Sequence, residues 1–89
     1  MRTIFKTKLH ICDVQTIEVP QDYKIIHLAL QEGTPCIWYE CTTEVPLVKV
    51  EIYCYGTGFN MDNEPTSLEH IGSIVTRDDF FVWHFYRKL

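Results

Sequence analysis

The sequence predicts an all-β domain, a small barrel or sandwich of about six or seven mostly antiparallel strands, with residues 1–89 forming one unit. Three observations carry this. Apolar residues recur mostly with period two, which is the period of a strand. Gly, Pro, Asn and Asp clusters interrupt the apolar runs every ~8–12 residues, as in sandwiches and barrels. With 89 residues and 10.5 kDa, the chain can bury one core and not two.

The elements follow in order. Phe5, Thr7, Leu9 and Ile11 alternate with Lys6, Lys8 and His10, the pattern of a half-buried first strand. Val14 to Val19 forms the second, stopped at Pro20. Tyr23 to Gln31 fits two readings, because Ile26, Leu28 and Leu30 alternate while Asp22 and Gly33 could cap a helix. The turn cluster Glu32-Gly33-Thr34-Pro35 and the β-rich run Cys36 to Thr42 favour a strand, and together the two read as a hairpin. After the break at Glu44 to Pro46, Val48, Val50, Ile52 and Cys54 alternate with Lys49, Glu51, Tyr53 and Tyr55, the clearest amphipathic strand in the chain.

Gly56 to Ser67 has no apolar period and reads as a long loop, of a length that is often functional. Leu68 to Thr76 and Phe80 to Arg87 flank a tight connection at Arg77-Asp78-Asp79. The last run is apolar or aromatic on both faces, with Phe81, Trp83 and Phe85 on one and Phe80, Val82, His84 and Tyr86 on the other. A strand of this kind is covered twice. The expected interface residues are therefore Trp38, Trp83, Phe85 and Tyr86, and self-association as a dimer or small ring is the expected state.

Charge and cysteine content exclude several function classes. The net charge is −4, so no long-range field draws nucleic acid or an anionic membrane, and nucleic acid is an unlikely partner. The positive charge gathers at the termini: Lys6, Lys8, His10, Arg87 and Lys88 would form one patch if the first and last strands were neighbours. No apolar run approaches the ~18 residues of a membrane helix and the start offers no signal-peptide core, so a soluble cytoplasmic chain without a membrane partner is expected. Cys12, Cys36, Cys41 and Cys54 then read as reduced and mostly buried thiols. Zinc held by His10, Cys12, Cys36 and Cys41 is the competing reading. It lacks a C-x-x-C pair, and residues 36 and 41, five apart on a strand, point to opposite faces. No metal and no cofactor is expected.

No nucleophile elbow or P-loop is present, and the four histidines are scattered, so the chain reads as a non-enzyme. His84 beside a carboxylate in a cleft would be the one route to acid–base chemistry. The local feature that offers binding is Gly56-Thr57-Gly58-Phe59. Glycines flanking a hydroxyl residue let amides approach an anion, and Tyr53 and Tyr55 just before it offer a face for a base. The expected ligand-binding set is Tyr53, Tyr55, Gly56, Thr57, Gly58, Phe59 and Lys49, with Lys6, Lys8 and Arg77 as further cations.

The segments Gln15-Thr16-Ile17-Glu18-Val19-Pro20, Pro35-Cys36-Ile37-Trp38, Tyr55-Gly56-Thr57-Gly58 and Val82-Trp83-His84 carry a resemblance. In this order and spacing the chain, from about Ile4 to Phe85, resembles a family of small β-rich proteins encoded by bacteriophages and prophages. The resemblance implies an all-β fold and a setting in the host bacterial cytoplasm, and it supplies no activity. It favours action by binding, with antagonism of host defence first. Sequestering a nucleotide signal and masking a defence protein then stand nearly equal. A virion structural or assembly accessory role is the alternative.

Overall fold

A computed structural model describes residues 1–76 and 80–89; the expected Arg77-Asp78-Asp79 connection and the Arg77 cation lie outside them. Every regular element among the described residues is a strand: β1 (Arg2–Lys8), β2 (Val14–Pro20), β3 (Lys24–Gln31), β4 (Thr34–Thr42), β5 (Leu47–Gly56), β6 (Leu68–Val75) and β7 (Val82–Lys88). They form two antiparallel sheets, ordered β1-β4-β3 and β2-β5-β7-β6. Of the two architectures expected, this is sandwich-like and not a closed barrel. No helix among the described residues is long and apolar enough to cross a membrane.

One core lies between the sheets. Leu9, Ile37, Tyr39 and Cys41 enter it from the three-stranded side, and Ile17, Val19, Val50, Ile52, Cys54, Ile74 and Phe85 from the other. The Cα atoms span 41 × 31 × 16 Å, which is two layers and no more, so each sheet turns its second face outward. The layers meet along β3 and β6, where a Cβ on Gly72 would lie 3.1 Å from Leu28 Cδ2. Glycine permits that approach.

Residues 24–42 do form the predicted hairpin, turned at Glu32 and Gly33, both with positive φ (51° and 80°). A bulge between Ile25 and His27 shifts its register. The alternation of Ile26, Leu28 and Leu30 is broken there: Ile25 packs on the core with Leu28 and Leu30, and Ile26 is exposed. The first strand needs a second correction, because pairing ends at Lys8 and leaves Ile11 in a bend at 42% exposure, while Phe5 on this edge strand is also exposed. A third concerns the terminal charges. β1 pairs with β4 while β7 lies inside the other sheet, so Lys6 and Lys8 do not join Arg87 and Lys88.

Candidate functional site

The outward face of the four-stranded sheet carries the residues singled out in β5. Cross-strand register places Tyr55 opposite His84 and His84 opposite Ser73, with Tyr53, Tyr86 and His70 in the next row. The long loop folds back over this face. Tyr55 Oη donates to Glu64 Oε1 at 2.9 Å, and the Phe59 ring lies 5.4 Å from that of Tyr55. On its other sides Tyr55 meets Tyr53 (6.4 Å, 17° between planes) and the edge of Tyr86 (5.7 Å). The ring is left 3% exposed. Burial first, and then the Glu64 carboxylate, push the Tyr55 phenol well above its ordinary range. Burial and Glu51 raise Tyr53 in the same direction.

His84 joins the loop to the sheet. Its Nδ1 lies 2.7 Å from Ser73 Oγ and its Nε2 2.8 Å from Thr57 Oγ1, and His70 Nε2 lies 3.2 Å from the same Ser73 oxygen. A neutral imidazole donates through one nitrogen and accepts through the other, so the two hydroxyls satisfy it completely. The carboxylate neighbour that acid–base work would use is replaced by hydroxyls.

At the end of this sheet, Gly56 to Phe59 and Phe80 to Trp83 line a depression of about 420 Å³, above the ~300 Å³ at which ligand pockets begin. The two segments meet because Gly56 pairs with Trp83: a Cβ at residue 56 would lie 3.2 Å from the indole. Phe81 stacks on Trp83 at 5.7 Å. Phe59, Phe80 and Phe81 remain 52%, 82% and 54% exposed. Among the described residues, none that lines this depression is charged.

These positions sort the expected binding set. Tyr53, Tyr55 and Gly56 to Phe59 do come together, but the Tyr55 ring is enclosed by its own chain. The Thr57 amide donates to Val82 O (3.2 Å) and the Phe59 amide to Gly56 O (3.1 Å), so neither is open to an anion. Lys49 stands opposite Glu18, seven residues along β5 from Gly56 and so ~23 Å away by strand rise. It does not join the site. Among the expected interface residues, Phe85 is fully buried in the core and has no surface to give a partner. Trp83 borders the depression, and Tyr86 lies beneath Tyr55 and His70. The outward face of β7 is thus met largely by its own chain. Trp38 belongs to the other sheet, half-buried on its outer face beside His27. Sequence reasoning missed Glu64, Ser73 and the Phe80-Phe81 pair as members of this end. The pairing of Ser73 with His84 is visible only once β6 and β7 are in register.

Cys36, Cys41 and Cys54 are buried and free, and Cys12 is exposed. Burial pushes the Cys54 thiol up to about 11. Cys36 and Cys41 lie on opposite faces of β4, as their spacing requires.

Fold and site together define a small two-sheet β domain with an aromatic end whose described lining residues carry no charge. The chain belongs to the DUF7352 family, a domain of unknown function whose model matches residues 1–89. No curated protein and no solved structure matches it.

Proposed function

We propose that this is a non-enzymatic binding protein that docks a protein partner on the aromatic end of its four-stranded sheet. In the phage setting that the resemblance implies, the partner is a host defence protein that it masks in the bacterial cytoplasm. The observation that carries the reading is the exposed Phe59 and Phe81 around a 420 Å³ depression with no charge among its described lining residues. Exposed aromatics around an apolar recess are the usual anchor points of protein interfaces. The same features weigh against a nucleotide signal as the occupant. Stacking would need the enclosed Tyr55, and phosphate would meet no cation among the described lining residues, with the Thr57 and Phe59 amides already donating to Val82 and Gly56.

The test is plating efficiency of phage on hosts that carry individual defence systems and express either the wild-type chain or Phe81→Asp. The exposed ring can be replaced without touching the core, so Phe81→Asp folds and loses the protection that the wild type gives. Calorimetry against cyclic nucleotides is the counter-test, and a stoichiometric heat abolished by Phe81→Asp would replace the masking reading with sequestration. Recovery of the protein in purified particles would replace it with the virion role. Light scattering separately reports whether the aromatic end pairs two copies.

A further inference from the structure

The outer face of the three-stranded sheet is chemically unlike the site above. One row across it reads Lys6, Trp38, His27, since Lys6 and His27 are the cross-strand partners of Trp38 on either side. The His27 and Trp38 rings are 5.3 Å apart and tilted by 44°. Lys6 extends across β4, its Nζ donating to Gln31 Oε1 at 2.5 Å. With Lys8, Gln31, Glu32, Thr34 and Cys36 it lines a depression of about 290 Å³. Lys24 stands in the row on the other side, opposite Glu40. Arg2 is neutralised by Asp22 (3.5 Å) and Glu40 (3.8 Å), but Lys6, Lys8 and Lys24 form no ion pair with a described residue. The −4 net charge hides this segregation.

We infer that this face binds a short stretch of single-stranded nucleic acid, with a base stacked on Trp38 and neighbouring phosphates on Lys6 and Lys8. Charge complementarity and the aromatic between the lysines are the two ingredients that single-strand binders combine. The layout fits a strand better than one nucleotide. The cations lie in a line, Lys6 and Lys8 two residues and so ~7 Å apart along β1, and Lys24 lies beyond the indole. The site is independent of the aromatic end, and either can fail alone.

The experiment is fluorescence anisotropy of a labelled oligothymidine of about 12 nucleotides, within the usual site sizes, titrated with the full chain at several salt concentrations. Two to three phosphates held by lysine give a slope of log affinity against log salt of about −1.4 to −2.1. Trp38→Ala, its fold checked by circular dichroism, weakens binding about 5- to 150-fold, the range of one lost base stack. The double variant Lys6→Gln/Lys8→Gln flattens the slope by about 1.4. Lys88→Gln, on the other sheet, leaves binding unchanged. The proposal is overturned by silence at low salt, or by binding that neither variant weakens. It is equally overturned if thymidine monophosphate binds as tightly as the oligomer, or if polyglutamate displaces it at equal charge.

Discussion

Truncating Phe85 separates a core residue from an interface residue. Its side chain is fully buried, its cross-strand neighbours are Cys54 on one side and Gly72 on the other, and Leu28 of the opposite sheet crosses Gly72. Phe85→Ala removes a ring from that corner, and Gly72 has no side chain to move into the void. Phenylalanine-to-alanine changes in cores cost about 3–5 kcal/mol, and a void this poorly filled belongs in the upper half of that range. Against the 5–15 kcal/mol typical of a domain, the loss is a large part of the whole. With a urea slope of about 1.5 kcal/mol/M, the unfolding midpoint falls by roughly 3 M. Phe85→Leu keeps most of the volume and falls by about a third as much, so a folded variant remains to be measured even if the alanine chain unfolds. The assay is urea denaturation followed by tryptophan fluorescence, with light scattering on the same samples. Unchanged midpoints together with a change in molecular mass would refute the reasoning and return Phe85 to a subunit contact.

Three further outcomes follow from the same geometry. In the native protein a thiol reagent at neutral pH labels one cysteine at once, the exposed Cys12, and the other three only after unfolding; prompt labelling of Cys54 would contradict its burial and its pKa of about 11. The Thr42 hydroxyl and amide hold the Asp22 carboxyl below its ordinary 3.8, so this contribution is present above pH 3.8 and is lost as pH falls through the lower folded value. Asp22→Asn therefore lowers stability at neutral pH and flattens its acid limb, as urea midpoints from pH 2 to 7 would show. Gly58 has φ +91° and nothing within 4 Å of a built Cβ, so Gly58→Ala costs ~1–2 kcal/mol from backbone conformation alone; a neutral result by thermal melting would mean that the turn relaxes.

The parts of the fold that were legible are those where one strand keeps one period. In β5 the alternation of Val48, Val50, Ile52 and Cys54 with polar residues survives intact, because the strand lies between two others and has a wet face and a dry one. In β3 the same kind of pattern misled, since one inserted residue at the Ile25/His27 bulge turns Ile26 outward, and period two has no mark for an insertion. Tyr55 shows the converse failure. Its parity is outward, as read, yet it is enclosed because residues 59 and 64 of the loop return over it. Likewise the Gly56-to-Phe59 turn was visible in composition, whereas its partners Phe80 to Trp83 follow only from the pairing of β5 with β7.

Pairing also decides where charge acts. The lysines of β1 and the basic residues of β7 lie near opposite ends of the chain, and summed with twelve intervening acids they vanish into a net charge of −4. Folding does not average them. β1 docks on β4 and sets Lys6 beside Trp38, while Arg87 turns toward Tyr23 and Glu69 at the junction of the sheets, donating to them at 2.7 and 2.6 Å. Arg87 is thereby neutralised and Lys6 is not. A domain two layers thick has little interior to spare for a ligand, so the surfaces it can offer a partner are the outer faces and ends of its sheets. One such surface here is aromatic with no charge among its described lining residues, and the other sets Trp38 among Lys6, Lys8 and Lys24. A single ligand chemistry does not fit both, which is why substitutions at Phe81 and at Trp38 should separate the two proposed activities instead of weakening one in common.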